Sequence, residues 1–196
     1  MTHIYLVRHG ETDWNKRGLV QGSTDIPLNE RGYLQAEATG AYLAESNWDY
    51  LYASPLSRAY ETAVTIADKI GISHISTDPR LQERHFGKAE GMDVALRKQY
   101  YNGVPIPGAE TWEAVQARAL EVVEELSLRH PDSRLLVVSH GGLIGGLLSL
   151  ISKGEIVPGK PPLKNACMSL LTHDGSWQVK WYNWVTPELA AVSAAD

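Results

Sequence analysis

Short apolar runs alternate along the chain with longer segments in which apolar residues recur at helical spacing. The short runs are rich in β-forming residues and predict buried strands at residues 3–8, 50–53, 74–77 and 135–138. The longer segments predict helices at residues 29–46, 54–71 and 111–130. Two further strand-like runs, at residues 166–172 and 177–184, flank a turn at residues 174–175. This alternation predicts an α/β fold, a three-layer α/β/α sandwich with a mostly parallel central sheet.

Local signals set the ends of the predicted helices. Asn29 is a suitable N-cap for the first helix. Ser54 and Pro55 predict the start of the second helix, with the serine as N-cap and the proline at the first helical position. Gly71 predicts the end of that helix. Arg58 then falls in its first turn.

Two parts of the chain show no regular pattern. Residues 78–108 contain several glycines and prolines and predict a long loop, a kind of segment that usually carries function. The alanine-rich residues 185–196 predict a tail. The sequence has no internal repeat and no linker, so residues 1–196 are expected to form a single domain.

The composition narrows the class of protein. The 196 residues are 43% hydrophobic, which is enough for one substantial core. The net charge of -5 argues against a general nucleic-acid surface, because binding to phosphate backbones needs clustered lysine and arginine. Residues 143–151, the most apolar segment, are far fewer than a membrane-spanning helix needs. With one cysteine and no signal-peptide pattern, we expect a soluble cytoplasmic protein without nucleic-acid or membrane partners.

Candidate chemistry is concentrated at the carboxyl ends of two predicted strands, where folds of this class bind ligands. Arg8, His9 and Gly10 combine a guanidinium, an imidazole and a residue without a side chain, which suits the close approach of a phosphate. His140 follows another strand, and Arg58 adds a guanidinium at a helix start. These groups should keep His9 neutral and nucleophilic while they stabilise a transferring phosphoryl group. The pattern predicts a phosphohistidine intermediate.

Such a reaction also needs a group that gives and takes a proton. The leaving alkoxide must gain a proton, and a water molecule that attacks the phosphohistidine must lose one. Glu83, in the long loop, is the candidate.

A series of motifs extends over residues 3–150. It begins with LVRHGETDWN at residues 6–15 and continues at residues 21–22, 27–32, 54–62, 81–91, 108–111 and 138–141. In content and order this series resembles the histidine phosphatase, or phosphoglycerate-mutase-like, superfamily. The resemblance implies the phosphoglycerate mutase-like fold and a small-molecule phosphate monoester as substrate.

The resemblance also assigns roles to the candidate residues. It implies that His9 becomes phosphorylated and that Arg8, Arg58 and His140 bind the phosphoryl oxygens. It implies that Glu83 acts first as an acid and then as a base.

Three weaker positions and the absence of a cofactor come from the same resemblance. Asn15 and Gln21 would be further phosphate contacts, and the backbone of Gly141 would lie nearby. Members of the superfamily need no metal, and we expect this chain to use neither a metal nor an organic cofactor. The sequence agrees, because it has no tight cluster of residues with metal-ligand spacing.

Two alternatives to a phosphatase remain at this point. Residues 84–87 are similar to a stretch of cofactor-dependent phosphoglycerate mutases, but the following segment is shorter than in those mutases and contains only Arg97 and Lys98 as cations. A short lid favours phosphatase activity, since water then reaches the phosphohistidine. The other alternative is a non-catalytic module that binds a phosphorylated ligand. Sugar phosphates, phosphoserine, nucleotides and α-ribazole phosphate are all compatible substrates, and the sequence does not indicate the oligomeric state.

Overall fold

The computed structural model describes residues 1–194, which form six strands and seven α-helices. The strands are β1 (Thr2–Arg8), β2 (Tyr50–Ala53), β3 (Ile75–Thr77), β4 (Arg134–Ser139), β5 (Met168–His173) and β6 (Trp177–Trp184). The helices are α1 (Asp13–Lys16), α2 (Glu30–Leu43), α3 (Ser57–Ile70), α4 (Val94–Tyr100), α5 (Trp112–Arg129), α6 (Gly141–Ile151) and α7 (Pro187–Ala194). Two short 3-10 helices, Pro79–Leu81 and Gly87–Ala89, lie between β3 and α4.

One sheet contains all six strands in the order β3-β2-β4-β1-β5-β6. The first four strands of this order pair in parallel, and β5 and β6 are antiparallel to their neighbours. The predicted mostly parallel sheet is therefore confirmed.

Alternate side chains of the central strands point to opposite faces of the sheet and pack against different helices. Ile4 and Leu6 of β1 belong to the core beneath α5 and α6, whereas Val7 belongs to the core beneath α2 and α3. In β4, Leu135 faces the first core and Leu136 the second. The sheet thus lies between two helical layers, which confirms the predicted three-layer arrangement.

The start of α3 differs from the prediction. The helix begins at Ser57, so the assignment of Ser54 as N-cap and Pro55 as the first helical residue is wrong. The Ser54 hydroxyl lies 2.8 Å from Nε2 of His140, and this tertiary hydrogen bond replaces capping. The carboxylate of Asp25 instead accepts a hydrogen bond from the backbone N–H of Ser57 at 2.8 Å. The helix end is as predicted, since Gly71 adopts the left-handed conformation with a φ of 73°.

Two segments predicted to be irregular contain helices. Residues 78–108 include α4, whose first turn is capped by Asp93. The expected tail is wrong for residues 187–194, which form α7 and pack against α2. The Thr186 hydroxyl accepts a hydrogen bond from the backbone N–H of Leu189 at 2.9 Å, and Leu189 is fully buried. Residues 195–196 of that expected tail lie outside the described residues.

Candidate active site

The parallel pairing of β1 with β4 brings two histidines to one edge of the sheet. Arg8 is in register with Ser139, so His9 and His140 follow their strands at the same level. Their ring centroids are 5.2 Å apart, and both side chains are almost completely buried. The predicted meeting of the two strand ends is therefore present in the structure.

The hydrogen bonding of His9 fixes its tautomer. Nδ1 lies 2.6 Å from the carbonyl oxygen of Gly10, and a carbonyl can only accept, so Nδ1 carries the proton. Nε2 then has the free lone pair. Burial, followed by the positive charges of Arg58 and Arg8, lowers the pKa of His9 well below its usual value. The neutral ring therefore presents a free lone pair at Nε2.

The second histidine holds a donor that has no protein partner. The hydroxyl of Ser54 accepts a hydrogen bond from the Leu56 backbone, and Nε2 of His140 is the one acceptor that the described residues offer to its own hydrogen. With Nε2 as acceptor, the proton of the neutral ring is on Nδ1, which is buried and makes no hydrogen bond within residues 1–194. Burial and then Arg58 lower the pKa of His140 well below its usual value. The neutral ring therefore leaves an unused N–H.

Two arginines add positive charge beside the histidines, and of these Arg58 is fully buried and Arg8 half-buried. Arg58 is fully buried and donates from Nη2 to the carbonyl of Gly22 at 2.7 Å and from Nη1 to that of Thr24 at 2.9 Å. Arg8 donates from Nη1 to the carbonyl of Leu163. The Nε of each arginine is buried without a partner, and neither guanidinium forms an ion pair with the residues that the structure describes. Burying unpaired cations costs several kcal/mol each, on the order of what an anionic ligand would recover.

Glu83 is held at the N-terminus of α6. Its carboxylate accepts backbone N–H groups of Gly142 at 2.9 Å, Leu143 at 3.0 Å and Arg84 at 2.7 Å. A Cβ at residue 142 would lie 2.4 Å from Oε1, so the carboxylate occupies space that only glycine leaves open. The predicted loop residue is thus fixed in one orientation at the cleft.

The three weaker predicted positions also line the cleft. The amide oxygens of Asn15 and Gln21 both accept hydrogen bonds, from Asn165 at 3.1 Å and from the Thr12 hydroxyl at 2.9 Å respectively. This leaves the amide nitrogen of each side chain to donate to a ligand. A Cβ at Gly141 would lie 3.4 Å from Nε of Arg8, at ordinary van der Waals distance, so the residue lies directly beside that guanidinium.

Glu90 supports the site from outside the cleft, and no sequence pattern predicted it. Its carboxylate accepts backbone N–H groups of Ser23 and Thr24, each at 3.0 Å, and of Phe86 at 2.9 Å. Burial raises the pKa of Glu90, but hydrogen bonds from Thr24, Phe86 and Ser23 outweigh burial and hold the pKa below its usual value. Glu90 thereby fixes the loop whose carbonyls hold Arg58. Two of its partners, Ser23 and Thr24, are 67 and 66 residues away in sequence, so no local pattern marks this role.

The predicted site residues surround one cleft with a volume of about 260 Å³. Seven of the eight line it directly, and the ring of His140, the eighth, has its centroid 5.2 Å from that of His9. The seven are Arg8, His9, Asn15, Gln21, Arg58, Glu83 and Gly141. A cleft of this size suits a small molecule.

Neither a metal-binding cluster nor a membrane-spanning helix is found in residues 1–194. No group of three or more histidine, cysteine, aspartate or glutamate side chains is arranged there to hold a metal ion. Across the same residues, each helix is too short or too polar to cross a membrane.

Acidification is expected to destabilise the fold below about pH 6.5, because the buried histidines have lowered pKa values. In that range the unfolded chain binds protons at His9 and His140 and the folded chain does not. The two histidines therefore do not lower the free energy of unfolding above about pH 6.5. Below that pH, each of them lowers it by about 1.4 kcal/mol per pH unit. Urea unfolding in phosphate-free buffer at a series of pH values measures this slope. The variant His9→Gln should have a shallower slope and the exposed His74→Gln an unchanged one; equal slopes in all three would contradict the assignment.

Comparisons with known proteins agree with this geometry. The family model of the histidine phosphatase superfamily (branch 1) matches residues 4–185. An uncharacterized phosphatase of Bacillus subtilis is 39% identical over 184 residues, covering 93% of this chain and 95% of the relative. A probable phosphoglycerate mutase of Cronobacter sakazakii is 36% identical over 209 residues, covering 100% of this chain and 96% of the relative.

A solved structure shows the same fold. The mycobacterial glucosyl-3-phosphoglycerate phosphatase in complex with VO3 superimposes with a TM-score of 0.83 at 30% identity. The match covers 92% of this chain and 98% of that one. The fold, the strand-end histidines and the family match agree, and the chain belongs to the histidine phosphatase superfamily, branch 1.

Proposed function

We propose that this protein hydrolyses small phosphate monoesters through a phosphohistidine formed on Nε2 of His9. The observation that carries the proposal is the set of buried donors around that ring: Nε of Arg8, Nε of Arg58 and Nδ1 of His140. A phosphoryl group with three oxygens supplies the acceptors that these donors lack, and its charge offsets the two guanidinium charges.

In the first step, the Nε2 lone pair of His9 attacks phosphorus, and the bond from phosphorus to the ester oxygen breaks. Glu83, in its neutral carboxylic acid form when substrate is bound, gives its proton to the leaving oxygen and becomes a carboxylate. Arg8, Arg58 and His140 stabilise the charge that spreads over the phosphoryl oxygens. The hydrogen bond from Nδ1 to the Gly10 carbonyl keeps the reactive nitrogen directed at phosphorus and stabilises the cationic phosphorylated ring.

In the second step, water attacks the phosphohistidine and the Glu83 carboxylate takes its proton. The bond from Nε2 to phosphorus breaks, phosphate leaves, and both His9 and Glu83 return to their starting forms. We expect the cycle to need no metal ion, because the two guanidiniums supply the positive charge that a metal would otherwise provide. Phosphate release should therefore continue in excess chelator.

Glu83→Gln is expected to slow hydrolysis of alkyl phosphates by about 10²- to 10⁴-fold, because their leaving oxygens need a proton. With an activated aryl phosphate the first step needs less help from an acid, so the variant should release a burst of phenol and accumulate phosphohistidine. Rapid-quench measurement of the phenol burst and of the acid-labile phosphate checks both effects.

The matched control for this variant is Glu37→Gln, an exposed glutamate on α2 outside the cleft. It should behave like the wild type with both substrates. If Glu83→Gln slows alkyl and aryl phosphates equally and shows no burst, Glu83 does not transfer the proton.

A mutase is the second candidate, because the relative from Cronobacter sakazakii is named as one. The length of α4 favours hydrolysis. This helix of the segment beside the cleft has only seven residues, and a short cover lets water reach the phosphohistidine. The deciding assay compares phosphate release from an aryl phosphate and from 3-phosphoglycerate with isomerisation of 3-phosphoglycerate in the presence of a bisphosphate primer. Release without isomerisation supports the phosphatase. Isomerisation without release supports the mutase, and neither product together with no trapped phosphohistidine supports a binding module.

A further inference from the structure

One peptide unit in the loop after β1 fixes the position of the proton on the His9 ring. The carbonyl of this unit belongs to Gly10, and its oxygen lies 2.6 Å from Nδ1 of His9. The N–H of the same unit belongs to Glu11 and donates to Oε1 of Gln35 at 2.8 Å. A peptide unit is planar, and its C=O and N–H point in opposite directions. The hydrogen bond to Gln35 therefore sets the direction in which the Gly10 carbonyl points.

Helix α2 brings Gln35 to this peptide unit through direct backbone contact with the loop. A Cβ at Gly10 would lie 2.3 Å from the carbonyl oxygen of Gly32, and a Cβ at Gly32 would lie 2.2 Å from that of Glu11. Both positions therefore need glycine. Gln35 follows Gly32 by three residues and lies on the same face of the helix, so its side chain reaches the N–H of Glu11.

The side chain of Gln35 is held in one orientation. It is buried, and because a backbone N–H can only donate, the atom that faces Glu11 is the amide oxygen. The amide nitrogen donates to Oγ of Ser193 in α7 at 3.3 Å. Gln35 is not one of the residues that line the cleft, so its route to His9 is the peptide unit rather than the substrate.

Glycine leaves this peptide unit free to rotate where nothing holds it. Such a rotation changes ψ of Gly10 and φ of Glu11, and glycine resists the change less than any other residue. The hydroxyl of Thr62 accepts the N–H of Gly10 at 3.0 Å, but that N–H belongs to the preceding peptide unit. Of the side chains in residues 1–194, that of Gln35 is the one that bonds to the N–H of the unit between Gly10 and Glu11.

We propose that Gln35 is a positioning residue of the reaction centre, which holds the Gly10 carbonyl towards Nδ1 of His9 and so keeps the Nε2 lone pair free to attack phosphorus. The inference rests on the proposed function, in which Nε2 is the nucleophile. Without the carbonyl, the neutral ring can carry its proton on Nε2, and that form cannot attack. The carbonyl also accepts a charge-assisted hydrogen bond from the cationic phosphorylated ring, and the bond to Gln35 polarises the peptide unit in its favour.

Gln35→Met removes the acceptor and keeps a side chain of similar length. We expect part of the neutral His9 ring to become protonated on Nε2, which the NMR chemical shifts of the two ring nitrogens measure. Single-turnover release of phenol from an aryl phosphate, with enzyme in excess, should slow by about 10- to 100-fold, the loss typical of groups that orient a metal ligand. The dissociation constant of inorganic phosphate, measured by calorimetry, should change by less than about threefold, because Arg8 and Arg58 are unaltered.

Three further variants separate positioning from a general effect on the fold. Ser169→Ala removes another buried oxygen that accepts a backbone N–H, that of Asn183 at 3.2 Å, and it should leave the tautomer and the rate unchanged. Gln35→Glu keeps an acceptor of the same reach and should restore the Nδ1 proton and most of the rate. Gln35→Asn withdraws the acceptor by one carbon and provides the same test should the methionine variant not fold.

Two results would overturn the proposal. One is a wild-type tautomer together with a wild-type rate in Gln35→Met or Gln35→Asn. The other is a rate in Gln35→Glu that is no higher than in Gln35→Met. A parallel loss of phosphate affinity and rate in Gln35→Met, with the ring proton still on Nδ1, would likewise show a structural role alone.

The positioning role can fail separately from the proposed function, because the tautomer is measured without turnover. If the wild type releases no phosphate while Gln35→Met moves the ring proton, the positioning role stands and the hydrolytic function does not. If the wild type hydrolyses an aryl phosphate and Gln35→Met changes neither tautomer nor rate, the hydrolytic function stands without this role.

Discussion

Replacing His9 with alanine is expected to reduce phosphate release by about 10⁴-fold or more, because it removes the nucleophile of the proposed mechanism. The neutral ring has its Nδ1 proton committed to the Gly10 carbonyl, so the attacking lone pair belongs to Nε2 alone. Direct attack by water would have to replace it without a covalent intermediate. Initial rates of release from an aryl phosphate in excess chelator, for the wild type and the variant side by side, measure the effect.

Folding and ligand binding must persist in this variant for the loss to be informative. Arg8 and Arg58 remain in His9→Ala, so inorganic phosphate should still raise its melting temperature. Mass spectrometry of the wild type, quenched during turnover, should find one phosphoryl group on the peptide that contains His9. His74→Ala, which alters an exposed histidine, should retain full activity. Near-normal release by His9→Ala would refute the phosphohistidine mechanism.

Replacing Arg58 with alanine is expected to lower kcat/KM by about 10³-fold, equivalent to about 4 kcal/mol of transition-state stabilisation. The guanidinium is fully buried and fixed by the carbonyls of Gly22 and Thr24, so a ligand meets it with little reorganisation. The loss should affect both phosphate affinity and kcat, because charge on the phosphoryl oxygens is present in the bound substrate and spreads further in the transition state.

The melting temperature of Arg58→Ala, with and without phosphate, is a second test of the role of this charge. The loss of two hydrogen bonds to carbonyls lowers the stability of the variant, and the loss of an unpaired buried cation raises it. These two effects oppose each other in the protein without ligand. The rise in melting temperature caused by phosphate, by contrast, should largely disappear. Arg58→Lys keeps the charge without the forked geometry, so its rise in melting temperature with phosphate should be intermediate. Arg17→Ala, at an exposed position outside the cleft, should show the same rise as the wild type. A full response to phosphate in Arg58→Ala would show that Arg58 does not bind the phosphoryl group.

The parts of the fold that the sequence predicted are those set by local pattern. The apolar runs before His9 and His140 marked β1 and β4, and parallel pairing of such strands necessarily brings their ends together. Gly71 marked a helix end because a left-handed residue there is a local requirement. Strand and helix order therefore sufficed to predict the sheet and the edge that carries the site.

The parts that the sequence did not predict depend on tertiary contacts. Ser54 has the right chemistry for an N-cap, but its hydroxyl orients His140, and Asp25 from another loop caps the helix instead. Glu90 is a single glutamate in a loop-like sequence, and its role arises from backbone N–H groups that only the folded chain brings to it. Thr186 and the proline after it did carry a local signal for a helix start, and the alanine-rich composition of the segment concealed it.

The wall of the cleft that holds Arg97 is built differently from the reaction centre. His9 and His140 follow strands of the packed sheet, and Arg58 lies in the first turn of a helix against it, so these groups are anchored in the core. Phe86 and Arg97 belong to one continuous stretch of short helices and turns between β3 and α5. Leu81, Glu83 and Glu90 tie the first part of this stretch to the core, to α6 and to the loop around Arg58. Residues 91–108 contain no buried side chain, so they can change with little effect on the sheet. The wall of the cleft can therefore vary while the residues of the proposed phosphoryl-transfer site, anchored in the core, stay fixed.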